Sequence, residues 1–336
     1  LALTSCILIL RNLVVSELHS NSIIVLTTLC FFNFKQAQNY NMIISAHFIH
    51  SLFCIALYLS LETSGLRKWR WLPLITAPFT GGFGVALLVL EGSVSIRQFW
   101  AKKRLNDILN TFLCLLILFI SYGFDLIVGN TINNNAGNSL FSNAFHILAQ
   151  PWHLPNFLLS TLGSQFTPSS NYMSATSQLL GIFVLALLYW VRKQIHENIV
   201  LSHMLFIVFI SITLFTISGY NGTSRSIENA YSNRYVTSTM LITLILITSI
   251  YRSARFPLKK IAIPALVTLS LISGLKSGIE WVNLRSSQSE SLESYCYSES
   301  VQGKKECLDL AFGQSFYTDK LTFESDLNRF LYIQRS

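Results

Sequence analysis

The chain has 336 residues, 51% of them hydrophobic and only 12% charged, with 24 basic against 16 acidic residues and a formal net charge of +8. A soluble globular domain carries about 25% charged residues, so this composition excludes an ordinary soluble enzyme, a disordered chain, a collagen and a coiled coil. The bilayer is the solvent that tolerates it, because a helical span needs about 20 apolar residues in a row.

In chain order, residues 1–10 form the stump of an apolar run that opens at Leu1. The sequence is therefore expected to begin partway through a span. Residues 22–34 are apolar but short, and crossing with them needs tilt or local thinning. Residues 42–61 carry no charge and predict a full span. Residues 71–96 are different: Pro73, Pro78 and the run Gly81-Gly82-Phe83-Gly84 sit inside them. Proline and glycine there predict a broken helix whose two limbs meet inside the membrane. Residues 108–128, 173–191, 198–218, 236–251 and 261–278 complete the set of spans.

Lysine and arginine gather on the cytoplasmic side of short loops. Arg67, Lys68 and Arg70 precede the broken segment, and Arg97, Lys102, Lys103 and Arg104 follow it. A single crossing would put one cluster outside, whereas a re-entrant pair keeps both inside. On that choice, residues 129–172 form an uncharged outer stretch. Arg192 and Lys193, then Arg252, Arg255, Lys259 and Lys260, fall inside, and residues 279–336 end outside. The positive charge is then a topology signal, and nucleic acid drops out as a partner. The expected organisation is a multi-span domain over residues 1–278 and a small extracytoplasmic tail over residues 279–336. That tail holds nine of the 16 carboxylates, with short amphipathic helical pieces at 308–312 and 327–333.

Cys6, Cys30, Cys54 and Cys114 lie in apolar runs and read as small packing residues. Cys296 and Cys307 lie in the polar tail, where an oxidising compartment would let them pair. The absence of any CxxC pair leaves a zinc or thioredoxin-type site without sequence support.

The outer stretch 219–235 is the most informative, because Arg225 and Arg234 stand on the side where positive charge is disfavoured. Arginine forks match phosphate oxygens bidentately, and Arg234-Tyr235 opens the next span at headgroup depth. The bland alternative is an interfacial Arg–Tyr anchor, with Arg225 and Glu228 as an i,i+3 pair. Gln36, Gln38, Asn39 and Asn41 form a polar cluster that serves either as a loop cap or as donors and acceptors for sugar hydroxyls. Asn221-Gly222-Thr223 fits the N-glycosylation pattern, a match common by chance. His47 and His50 lie one turn apart beside Ser51, but no third metal ligand is visible nearby. Asp125 reads as the only carboxylate inside the apolar runs from Met42 to Tyr251. The stretch 129–172 is rich in asparagine and carries Gln150-Pro151-Trp152-His153, a candidate substrate lip.

Together these features resemble the polytopic membrane glycosyltransferases of the GT-C type. The stretch Gln36-Ala37-Gln38-Asn39 stands where that family has a Gln-Trp-Glu-Asn-like segment, with the Trp and the acid replaced. Phe79-Thr80-Gly81-Gly82-Phe83-Gly84 stands for its glycine-rich break, and Ser232-Asn233-Arg234-Tyr235 for its Ser-Arg-Tyr motif with one residue inserted. The resemblance implies an all-α, polytopic protein with broken or re-entrant helices in the bacterial cytoplasmic membrane. It implies transfer of a hexose from a polyprenyl-phosphate sugar, the co-substrate, to a cell-surface glycan or lipid, with a divalent metal as an open question. The family's catalytic carboxylate sits in the first outer loop, expected upstream of Leu1, so no residue here inherits that role. The competing classes are a transporter or flippase of lipid-linked sugars and a non-catalytic membrane scaffold.

Overall fold

A computed structural model describes residues 7–9, 46–80, 82–132, 151–167, 174–219, 236–253 and 259–296. The described residues form helices and turns, with no strand among them. The chain divides into two compact units, residues 1–277 and 278–336.

Among the described residues the first full helix, α1, spans Ala46–Thr63, inside and just beyond the expected span 42–61. Arg67–Arg70 forms a single 3-10 turn, followed by the short helix α2 (Trp71–Thr76) and a second 3-10 turn at Ala77–Thr80. The 21-residue helix α3 then runs Gly82–Lys102. The expected break is present, and its chemistry is local. Pro78 has no amide hydrogen to continue the ladder. Gly84 has no Cβ, and one placed there would overlap the Ala77 carbonyl. The two limbs therefore close tightly on each other and run antiparallel. Arg70, before the break, pairs with Glu91, after it. Both basic clusters thus belong to the same end of the hairpin.

The chain reverses again at Lys103, whose φ of 54° is left-handed. Its amide donates to the Phe99 carbonyl at 2.7 Å, which caps α3. Its ammonium lies 5.4 Å and 5.5 Å from the centres of the Phe99 and Trp100 rings, a cation–π contact that offsets part of the left-handed cost. Helix α4 (Leu105–Ile132) then packs back against α3.

The stretch 129–172 includes a helix, α5 (His153–Ser164), with Phe157, Ser160 and Leu162 buried. It packs against α6 (Ser174–Trp190) through two glycines. A Cβ on Gly163 would strike the Ser177 carbonyl, and one on Gly181 the Leu159 carbonyl. Backbone-to-backbone approach of this kind is how helices associate in lipid, where apolar side chains give no preference for protein over solvent. Hydroxyls add directed bonds: Thr167 and Ser177 meet at 3.0 Å, and Ser273 donates to the Thr167 carbonyl at 2.9 Å.

The short helix α7 (Arg192–Glu197) stops at Asn198, which has extended backbone. The Asn198 Oδ1 accepts from the Val200 and Leu201 amides at 3.0 Å and 3.2 Å, so it caps α8 (Ile199–Gly219). Helix α9 (Val236–Arg252) is buried at every residue from 239 to 250, a stretch with no charged side chain whose polar members are three threonines and a serine. Helix α10 (Lys259–Cys296) is the longest among the described residues, and Pro264 lies near its start. It runs through the expected span 261–278 and stays helical 18 residues beyond it, to Cys296.

Within α10, the segment Lys260–Ile279 is the one stretch among the described residues that is long and apolar enough to cross a bilayer. Shorter apolar helical stretches lie at Ile49–Thr63, Leu105–Ser121, Ala175–Trp190, Ile199–Leu214 and Thr239–Arg252. Their outer surfaces are apolar. On α4, Leu105, Leu109, Phe112, Leu115 and Phe119 are exposed, Phe119 by 76%, while Asp107 is buried. On α6, Leu179, Ile182 and Phe183 face outward, and on α10 Ile261, Ile272 and Leu275 do. The interior meanwhile holds Arg70, Glu91, Ser95, Gln165, Thr243 and Ser270. Continuous apolar faces of this extent mark contact with a membrane or a partner.

Candidate functional site

The sequence-derived candidates Arg225, Glu228, Arg234, Tyr235, Gln36, Gln38 and Asn39 lie outside the described residues, as do Cys307 and the expected helical pieces of the tail. His50 is on α1 with its side chain exposed, and Ser51 beside it is buried. Of His47 and Asp125 only the helical backbone is described. Among the described residues, no group of three or more His, Cys, Asp or Glu side chains could hold a metal ion.

The structure instead assembles a cluster around Glu91, and this corrects the reading of Asp125 as the only carboxylate within the apolar runs. Glu91 lies mid-way along α3 with 0% exposure. Three elements supply its donors. The Arg70 Nη2, from the 3-10 turn, reaches the Glu91 Oε1 at 2.7 Å. The Tyr58 hydroxyl, from α1, donates to the Glu91 Oε2 at 2.7 Å. Ser95, one turn further along α3, donates to the Glu91 Oε1 at 3.3 Å. The Arg70 guanidinium turns its other edge to Glu62, with Nη1 3.5 Å from Oε2. The Arg67 Nε lies 3.2 Å from the other Glu62 oxygen. The charges therefore alternate from exposed Arg67 through Glu62 and Arg70 to the fully enclosed Glu91.

Burying an ion pair is costly, and removing one partner costs about 3–5 kcal/mol because it strands the other. Such a pair persists only where every lone pair and proton is met, and here both Glu91 oxygens are. The chemical consequence is a lock rather than an acid–base centre. With no exposed surface and both oxygens bonded, Glu91 does not touch a substrate in this arrangement. It ties α1, the Arg67–Arg70 turn and α3 together, so the hairpin at the break is held closed. The cluster escaped local reading because its members are 21 and 33 residues apart. The signal was a lone glutamate in an otherwise apolar run, itself a rarity that asks for a partner.

Compared with family models, curated proteins and solved structures, the chain matches none.

Proposed function

We propose that this chain is a polytopic protein of the bacterial cytoplasmic membrane and acts as a GT-C-type glycosyltransferase on a lipid-linked sugar. The observation that carries the membrane placement is its inverted polarity. Apolar side chains such as Leu109 and Phe119 face outward, while Arg70, Glu91 and a set of serines and threonines are enclosed. A polyprenyl-phosphate donor is reached only from the bilayer, so such a body is the right host for that chemistry. The transferase reading itself rests on the sequence resemblance and on Arg225 and Arg234, the two arginines expected in an outer loop.

In this reading the acceptor hydroxyl attacks the anomeric carbon, the bond from that carbon to the phosphate oxygen breaks, and polyprenyl phosphate leaves. The hydroxyl proton passes to a carboxylate that is not assigned to a residue of this chain. Arg234, with Arg225 held by Glu228, stabilises the charge that grows on the phosphate. Tyr235 sets the headgroup depth, and Gln36, Gln38 and Asn39 orient the sugar. The acceptor is a cell-surface glycan or lipid.

The test is transfer of radiolabelled sugar from polyprenyl phosphate in membranes bearing the protein. Loss of one donor to a developing oxyanion costs about 10²–10³ in rate, so Arg234→Ala should fall into that range, with partial recovery in Arg234→Lys. Wild-type transfer in Arg234→Ala would remove that residue from the mechanism.

The enclosed Glu91–Arg70 pair on a broken helix favours one second reading, a transporter of lipid-linked sugars, since such proteins build their sites from discontinuous helices and intramembrane charges. Proteoliposomes containing a headgroup-labelled lipid-linked sugar and an impermeant quencher distinguish the two. Protein-dependent loss of the protected fluorescence without sugar transfer would select the transporter.

A further inference from the structure

Two neighbouring cavities open at the basic end of the bundle. One, of about 450 Å³, lies between the end of α3 and the α7–α8 junction, lined by Arg97, Gln98, Lys102, His196, Glu197 and His203 among others. The other, of about 630 Å³, has an apolar wall of Leu188, Ile195 and Leu205 and a rim of Arg192, Lys193 and His196. They share His196 and Ser202, and both volumes fall in the range of about 300–1,000 Å³ typical of small-molecule sites. Four permanent cations face the pair of cavities against one carboxylate, Glu197, whose oxygen is already 3.9 Å from the Lys193 ammonium.

The surroundings fix the depth. Trp100, just before Lys102, is 72% exposed, and Tyr189 and Trp190 are exposed just before Arg192. The Arg192 guanidinium stacks 4.0 Å above the Tyr189 ring. Aromatic rings beside cations are the signature of the headgroup layer. A basic, hydrogen-bonding cavity beside an apolar one, at that depth, is complementary to a phosphate with an acyl chain attached.

We infer that Arg97, Lys102 and His196 hold the phosphate of an anionic phospholipid, with its chain along Leu188, Ile195 and Leu205. This rests on the membrane placement above but not on the transferase reading. Arg97 supplies a planar fork for two phosphate oxygens, Lys102 a point charge, and Gln98 and His196 further hydrogen-bonding groups. The site differs from the diffuse attraction of any basic loop for acidic lipid, because it needs particular residues and a chain-sized wall.

The test uses the full chain, taken from the carbonate-resistant membrane fraction so that failure of the membrane placement shows separately as loss from that fraction. The protein is extracted from nanodiscs of phosphatidylglycerol and phosphatidylcholine in equal amounts, and retained lipid is counted by native mass spectrometry. One phosphatidylglycerol should persist, enriched at least about tenfold over phosphatidylcholine, the size set by roughly 1.4 kcal/mol of charge-assisted contact. Arg97→Gln with Lys102→Gln should abolish that enrichment, whereas Lys68→Gln, an exposed cation of the other basic cluster, should leave it intact. Ser202→Phe, which fills the shared wall without changing charge, should also abolish it. Equal losses in Lys68→Gln and the double variant would reduce the effect to general surface charge and overturn the site. Full displacement of the lipid by millimolar glycerol phosphate would overturn the lipid assignment, since the chain would then contribute nothing.

Discussion

Removing the Arg70 charge is the sharpest perturbation of the cluster. In Arg70→Met, Glu91 keeps only the Tyr58 and Ser95 hydroxyls, at 2.7 Å and 3.3 Å, and loses its one cation. Because Glu91 is wholly enclosed, solvent does not screen the loss, and the expected destabilisation is about 3–5 kcal/mol. Glu91→Leu should cost less, because Arg70 still has Glu62 at 3.5 Å. The double variant Arg70→Met with Glu91→Leu replaces the pair by apolar side chains of similar bulk. It should be more stable than Arg70→Met alone, since burying matched apolar groups is often neutral or better than burying ions. The non-additivity should reach about 2–3 kcal/mol, at the upper end of what neighbouring residues show. Reversible unfolding in mixed micelles, titrated with dodecyl sulfate and followed by circular dichroism, gives all four free energies. Additivity within about 0.5 kcal/mol, or an Arg70→Met variant as stable as the parent, would refute the view of the cluster as a coupled lock.

Tyr58→Phe removes one bond to a charged acceptor and should cost about 1.5–3 kcal/mol in the same titration, with the fold retained. Gly163→Ala and Gly181→Ala each press a Cβ into a facing carbonyl and should destabilise by about 1–3 kcal/mol, visible as earlier thermal aggregation in detergent. An unchanged midpoint for both would mean that α5 and α6 do not pack so closely. Gly84→Ala should open the hairpin in the same way and expose Arg70 to trypsin, whereas the parent resists cleavage there. In a cysteine-free background, Lys68→Cys and Lys102→Cys should react with an impermeant maleimide from the same face of sealed vesicles. Labelling from opposite faces would exclude the re-entrant hairpin.

Much of the helical framework was legible locally. The apolar runs at 173–191, 198–218 and 236–251 correspond within a residue or two to α6, α8 and α9. Each is long enough for hydropathy alone to signal a helix. The break at Gly81–Gly84 was equally plain, because proline and glycine act through the backbone of their own segment. Helix α5 was not legible. The charge-free stretch around it offered no long apolar run, and its burial comes from a partner helix and from Gly163 meeting Ser177. The residues favoured as substrate contacts, Arg225, Arg234 and the Gln36–Asn39 group, lie beyond the described part of the chain.

The sequence by itself determined that this protein is helical, rich in bilayer-length apolar runs, and interrupted once by a glycine-rich turn between two basic clusters. Those properties follow from composition, period and backbone chemistry, which act over a few residues. Only the tertiary structure decided which face of each helix is inside, and that Tyr58, Arg70 and Glu91 converge. An apolar run is apolar all round, so nothing local separates its outer surface from its packed one. A lone Glu91 and a loop Arg70 become a pair only when the hairpin closes and brings them together, with Glu91 left no exposed surface and Arg70 little.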